Sequence, residues 1–317
     1  MTDTQNEVFK TPVSKIRLFE HGAPGSQNLK LTRKYYTEDM PDGRVKHIVQ
    51  NITDPDIVPY IPDGIGNSTD RQRIPAVLII PGGAFRRLVY NFEGEDVAKW
   101  LNSMGIAAFV LECRLPSDEH DNAEDVPLID AMRVMRVIRG RAQEFGIDEA
   151  KIGVMGFSAG GFMAALLSTA YESDVYVDYK YKDEYDKLSA RPDFAVCSYP
   201  VISIDDCIEA GKRYMSEEQV LERISDSKAK ILHKYNPDKL VRPDMPPVFI
   251  CETDDDRTTL SENSVGFYMA ARKAGVSAEL HIFRTGGHGY GCGDDFAQTG
   301  EWKVLFTKWI KSIGIIS

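Results

Sequence analysis

Lys151-Ile-Gly-Val-Met-Gly-Phe-Ser-Ala-Gly-Gly-Phe-Met-Ala-Ala165 is the stretch whose reading decides the fold. Ile152 to Met155 is a short apolar run that reads as a buried strand, and Ala159 to Leu167 is small and apolar, like the start of a packed helix. Between them stands Gly156-Phe157-Ser158-Ala159-Gly160, a G-x-S-x-G pattern at a strand-to-helix junction. A sharp turn there forces Ser158 into a strained backbone conformation, and the flanking glycines remove side chains that would clash. The hydroxyl then projects from the sheet edge, with the Ala159 N–H facing whatever the serine attacks. Glycine and serine are common enough for the pentapeptide alone to arise by chance. The strand before it and the helix after it make Ser158 a candidate nucleophile.

Working outward, an alternation of strands and helices sets in at Ala76. Ala76–Ile80 reads as a continuously apolar strand ending in Pro81-Gly82-Gly83, followed by an amphipathic helix from Glu93 to Met104. Ala107–Cys113 is the next strand, and a long helix runs from about Leu128 to Phe145. On it Arg133, Arg136 and Arg139 are expected as a solvated face opposite a Leu128, Met132, Met135 core stripe. Downstream, Phe194–Tyr199, Val248–Glu252 and Ala278–Phe283 read as strands, and Ser261–Ala274 and Glu301–Ile313 as helices. Repeated units of this kind predict an α/β protein with a mostly parallel sheet, helices on both faces, and a ligand site at the carboxyl ends of the strands. Upstream, Leu29–Tyr36 and Arg44–Asn51 read as edge strands, and Asp54 to Arg73 as a loop. Tyr171 to Arg191 reads as a surface excursion. Asp205 to Pro243 reads as a charged helical insertion where a lid or substrate wall would sit, within one domain spanning residues 1–317.

Composition narrows the class of function. With 317 residues, 43% of them hydrophobic, the chain is long enough to bury a large core. A formal net charge of −10 argues against nucleic acid and anionic membrane surfaces as partners. Five scattered cysteines without C-x-x-C spacing read as reduced core residues, not as a disulfide frame or a zinc site. The first residues show no signal-peptide pattern, and no apolar run nears membrane-spanning length, so a cytoplasmic location is expected.

A serine nucleophile needs a base, an orienting acid and an oxyanion hole. In this architecture acid and base follow the serine, in that order, in loops after late strands. Thr253-Asp254-Asp255-Asp256-Arg257 follows one strand and Arg284-Thr-Gly-Gly-His288-Gly-Tyr-Gly291 follows the next. His288, flanked by glycines, is the candidate base; the other five histidines lack such a setting. Among Asp254, Asp255 and Asp256 the spacing does not choose. The oxyanion donors are expected from Ala159 and from the loop Gly82, Gly83, Ala84. Phe85 and Tyr290 are candidate sugar-stacking surfaces, with loop packing as the alternative. The chemistry calls for no metal and no organic cofactor.

The chain resembles the α/β-hydrolase esterases that deacetylate xylan and xylo-oligosaccharides, neighbours of the hormone-sensitive-lipase-like esterases. The resemblance rests on Gly22-Ala-Pro-Gly25, Pro81-Gly-Gly83, Gly156-Phe-Ser-Ala-Gly-Gly161, Arg191-Pro-Asp-Phe-Ala195, Tyr199-Pro-Val-Ile-Ser203, Glu262-Asn-Ser264 and Gly286-Gly-His-Gly289. It implies the α/β-hydrolase fold and, laid on Asp256-Arg-Thr-Thr-Leu260, selects Asp256 as the acid with Asp255 as fallback. It further implies removal of acetyl groups from acetylated oligosaccharides, a small-molecule partner. Departures are Pro81-Gly-Gly-Ala84 in place of His-Gly-Gly-Gly, Glu252 in place of His, and Leu260 in place of Pro. Alternatives on the same frame are a generalist short-chain carboxylesterase, a lipase, or a small formamidase-like amidase. A non-catalytic binding module would lack the serine or the histidine, and this chain has both. A homo-oligomer is compatible with the sequence.

Overall fold

The computed structural model describes residues 9, 14–65, 73–175, 178–214, 216, 218–219, 227–293 and 298–317. Eleven strands are assigned among them: β1 Ile16–Arg17, β2 Lys34–Asp39, β3 Val45–Gln50, β4 Asp56–Tyr60, β5 Ile74–Ile80, β6 Leu88–Val89, β7 Ala107–Glu112, β8 Ile147–Phe157, β9 Ala195–Ser198, β10 Val248–Thr253 and β11 Ala278–Phe283. Eight form one sheet in the order β1-β4-β7-β5-β8-β9-β10-β11. From β7 to β11 every neighbouring pair is parallel, whereas β1 and β4 add antiparallel at one edge. Strands β7, β9 and β10 are buried at every residue. That is why they read as unbroken apolar runs: a parallel sheet with both faces covered has no wet side.

The helices are α1 Asp96–Ser103, α2 Val126–Gly140, α3 Ala142–Phe145, α4 Ala159–Ala170, α5 Ile204–Tyr214, α6 Ser227–Lys234, α7 Ser261–Lys273 and α8 Glu301–Ser312. They cover both faces of the sheet. α1 meets α8 through edge-on aromatic contacts, Trp100 to Trp302 at 4.9 Å and Trp100 to Phe306 at 5.4 Å. α2 and α4 pack on each other and on β8.

Several expectations need correcting. The stretch expected as a loop from Asp54 to Arg73 contains β4, whose residues Ile57 and Val58 are fully buried. Pro59 obscured it. β1 reaches only Asp56 and Ile57, so Pro59 lies beyond that edge pairing, where a missing N–H is tolerated. β2 and β3, expected as edge strands covering one end of a sheet, pair with β6 in an antiparallel sheet of their own. The arginines of α2 are not a solvated face. Arg133 is 5% exposed and donates to the Leu18 carbonyl (2.9 Å) and to Asp183 (2.7 Å). Arg136 donates to the Leu188 carbonyl (3.1 Å), and Arg139 to the Arg191 carbonyl (3.0 Å) and Asp193. The three clamp the 171–191 excursion onto α2, so periodicity found the helix and missed what its polar side meets.

Of the expected insertion at 205–243, α5 and α6 are described, and Ile231, Leu232 and Tyr235 are buried in the core. Residues 220–226 lie outside the described residues. Cys113, Cys197, Cys251 and Cys292 are buried free thiols. Among the described residues no helix is long and apolar enough to cross a membrane.

Candidate active site

The site begins at the end of β8. Ser158 has φ 53° and ψ −119°, a conformation that an L-residue holds only under constraint from its surroundings. The constraint is visible. The Ser158 N–H donates to the Ser198 carbonyl (3.0 Å), and its own carbonyl accepts from the Phe162 N–H (3.0 Å). The flanking glycines are needed for close approach: a Cβ on Gly156 would lie 1.9 Å from the Gly160 carbonyl oxygen, and one on Gly160 would lie 1.9 Å from that of Ile80. Ala159, first residue of α4, presents one of the N–H groups a helix start leaves without an intrahelical partner.

Three loops at strand carboxyl ends meet this turn. From the loop after β11, His288 Nε2 lies 2.8 Å from Ser158 Oγ. Its Nδ1 lies 2.6 Å from Asp256 Oδ2. From the loop after β10, Asp256 is 2% exposed and also accepts from the Thr258 N–H (2.7 Å), the Thr259 N–H (3.0 Å) and the Thr259 hydroxyl (2.9 Å). Burial alone would raise its pKa. The His288 contact and charge, with the threonine amides, outweigh burial and hold the carboxyl below the usual carboxylate range. Asp255 does something different: its Oδ1 accepts from the Gly286 and Gly287 N–H groups at 2.9 and 2.8 Å. It pins the histidine loop from outside. Asp254 is exposed and touches neither the histidine nor the serine.

The glycine loop after β5 needs one correction. The Gly82 N–H, expected as an oxyanion donor, donates to Glu93 Oε2 at 2.8 Å and is thereby occupied. The Gly83 and Ala84 N–H groups have no acceptor among the described residues, and Gly83, Ala84 and Phe85 hold φ of 138°, 57° and 60°. Phe85 is 6% exposed with its ring edge-on to Phe162 (5.5 Å), which is loop packing and leaves no face for a sugar. Tyr290 is half-buried, its ring set against Tyr199 at 4.5 Å.

Two buried acids near the site were given no role there by the sequence. Glu252 is fully buried and accepts from the Thr253 N–H (2.9 Å) and the Ser264 hydroxyl (3.3 Å), and burial and the Asp256 charge push its carboxyl well above the usual carboxylate range. Glu93 lies in a π-turn at Asn91–Glu95, where a helix starting at Glu93 was expected. A glutamate beside Gly94 in the acidic run Glu93-Gly-Glu-Asp96 reads as an ordinary helix start.

With this geometry in place, comparison with known proteins gives a relationship. The family model described as BD-FAE matches residues 65–270. The chain belongs to the BD-FAE family. Its sequence is 31% identical over 240 residues to an acetylxylan esterase of Xylanibacter ruminicola, covering 75% of this chain and 45% of that protein. It is 30% identical over 227 residues to endo-1,4-beta-xylanase B of Butyrivibrio fibrisolvens, covering 71% of this chain and 34% of that protein. The chain thus spans less than half the length of either curated relative. Among solved structures, the acetyl ester-xyloside bifunctional hydrolase of Caldicellulosiruptor lactoaceticus is 34% identical with a TM-score of 0.70, covering 97% of this chain and all of that one. A carboxylesterase of Lactobacillus plantarum, 20% identical with a TM-score of 0.66, covers 90% of this chain and 99% of that one and speaks for the fold alone. This BD-FAE member has the α/β-hydrolase fold.

Proposed function

We propose that this protein is a serine carboxylesterase that removes acetyl groups, with acetylated xylo-oligosaccharides as its substrate class. One observation carries the reaction type: Ser158 Oγ, both nitrogens of His288, and Asp256 Oδ2 form a continuous chain with links of 2.8 and 2.6 Å. His288 Nε2 takes the Ser158 proton as the hydroxyl attacks the ester carbonyl. Asp256 fixes the proton on Nδ1 and stabilises the imidazolium. The Ala159 N–H, at the positive end of α4, and the Gly83 and Ala84 N–H groups hold the oxyanion, each donor lowering the barrier by about 3–4 kcal/mol. The alcohol leaves with the proton from His288. Water, deprotonated by the same imidazole, then releases acetate and restores the serine.

The substrate class is supported by the names of the relatives at 30–34% identity, which are xylan- and xyloside-acting proteins. The packing of Phe85 favours a second reading in which sugar contacts contribute little and any short acyl ester is accepted. Release of acetate from acetylated xylo-oligosaccharides, measured beside acetyl, butyryl, octanoyl and feruloyl esters, tests both. Fast turnover of octanoyl esters with negligible acetate from the sugars would overturn the proposal, and rapid turnover of every short ester with no gain on sugars would leave the generalist reading.

A further inference from the structure

The oxyanion loop and the histidine loop come from strands on opposite sides of β8, and a buried chain of hydrogen bonds joins them. It starts at Gly291 in the loop that carries His288. The Gly291 N–H donates to the Tyr199 hydroxyl oxygen at 3.1 Å. The Tyr199 hydroxyl donates to Glu93 Oε1 at 3.0 Å. The Gly82 N–H, from the oxyanion loop, donates to Glu93 Oε2 at 2.8 Å. The amides of Gly291 and Gly82 can only donate and the Tyr199 hydroxyl donates to Glu93, so both oxygens of Glu93 act as acceptors.

We propose that Glu93 is a positioning residue for the esterase reaction, its buried carboxylate tying the oxyanion loop to the histidine loop through Tyr199. The inference rests on the serine-esterase reading above.

Three observations support it. The anchor acts next to the nucleophile, since a Cβ on Gly82 would stand 2.9 Å from the Ser158 Cβ and 2.8 Å from Glu93 Oε2. The N–H groups of Gly83 and Ala84 follow directly in the chain, so where Gly82 is held decides where they point. Glu93 also sits on the Asn91–Glu95 π-turn, an irregularity that often marks functional sites and here wedges between the two loops: a Cβ on Gly291 would meet the Phe92 carbonyl at 2.6 Å. The Trp302 indole N–H closes the far side by donating to the Gly291 carbonyl (3.1 Å). Finally, Tyr199 touches the catalytic dyad itself, with its ring edge-on to the His288 imidazole at 5.0 Å. Burial pushes the Glu93 carboxyl up, opposed by the His288 charge, the Gly82 N–H and Tyr199. A 5% exposed acid serving only the core would have no reason to face three such partners.

The test is Glu93→Gln. The amide fills the same volume but has a single acceptor oxygen: held by the Gly82 N–H, it turns its NH2 on Tyr199, whose hydroxyl loses the acceptor of its proton and must reorient. The expected result is a kcat on 4-nitrophenyl acetate lower by ~10²-fold, the scale of an oxyanion donor moved out of place, with KM within about threefold of wild type. Affinity for phenylboronic acid, which Ser158 binds as a tetrahedral anion, should fall in step with kcat. A kcat within about threefold of wild type, or losses in kcat, KM and melting temperature that move together, would overturn the role. Should Glu93→Gln not fold, Tyr199→Phe decides. It keeps the ring and breaks the bridge; a lower kcat at unchanged KM supports the proposal and an unchanged kcat refutes it. Ser158→Ala, run in parallel, separates the two levels. Its inactivity beside an active Glu93→Gln removes only the role of Glu93, whereas an active Ser158→Ala removes the esterase reading.

Discussion

Replacing Asp256 by asparagine isolates what the acid does. Four donors converge on the carboxylate: His288 Nδ1 at 2.6 Å, the Thr258 and Thr259 amides at 2.7 and 3.0 Å, and the Thr259 hydroxyl at 2.9 Å. Asparagine has one acceptor oxygen. The two amides on the same loop cannot rotate away, so the oxygen stays with them and the NH2 group turns toward His288. That NH2 must donate, which makes Nδ1 an acceptor and moves the ring proton to Nε2. Nε2 then cannot take the proton of Ser158. Loss of the tautomer and of imidazolium stabilisation predicts a fall in kcat of ~10⁴-fold, about 5.4 kcal/mol of barrier, with little change in KM. Asp255 is the control. Its Oδ1 accepts from the Gly286 and Gly287 amides at the surface, and asparagine can keep both bonds. Asp255→Asn should therefore hold kcat within about fivefold, while Asp255→Ala, which removes both, should cost about tenfold through a looser histidine loop. The assay is 4-nitrophenyl acetate hydrolysis near pH 8, with single-turnover acylation to separate chemistry from product release. Residual activity above a tenth of wild type in Asp256→Asn, or an equal loss in Asp255→Asn, would refute the reasoning.

Other consequences can be checked on the same preparation. Ser158→Ala should fold with an unchanged melting temperature and hydrolyse 4-nitrophenyl acetate at the background rate; an undiminished rate would remove the nucleophile assignment. Arg114 and Asp130 are both fully buried and joined at 2.7 Å, and Arg114 also donates to Ser26 (2.8 Å) beneath the Gly22–Gly25 loop. Arg114→Met should lower unfolding free energy by about 3–5 kcal/mol, because it strands a buried carboxylate, and denaturant titration showing under about 1 kcal/mol would contradict that. His120 is 5% exposed, accepts or donates at Ser26 through Nδ1 (3.0 Å), and is lowered to about 4 by burial and the Arg114 charge. A depressed histidine contributes stability above its unfolded pKa near 6.5, and that contribution drains away as pH falls toward about 4. Unfolding free energy should thus drop by about 2–3 kcal/mol more in wild type than in His120→Gln between pH 7 and pH 4. Parallel pH dependences in the two proteins would dismiss the assignment.

How much of this was legible in the residues follows from the range of the forces involved. The strand, sharp turn and helix around Ser158 were readable because a G-x-S-x-G turn is local: steric exclusion over a few residues forces it, and the apolar runs beside it reflect burial on both faces of a parallel sheet. The order of β-α units and the placing of acidic and glycine-histidine loops at strand ends were readable for the same reason. What spacing left open was the choice among Asp254, Asp255 and Asp256, and resemblance alone pointed to one. The distances distribute them: Asp256 to His288, Asp255 to the glycine amides, Asp254 to solvent. Adjacent carboxylates are chemically alike, and only the meeting of loops from β10 and β11 tells them apart. The arginines of α2 look like any polar helix face until the 171–191 segment lies across them. Glu93 looks like an ordinary helix-start acid until Gly82 and Tyr199 arrive from strands on either side. Local sterics determine the serine turn, and long-range packing decides which donors, acids and rings surround it, because a hydrogen bond depends on where two distant backbones end up.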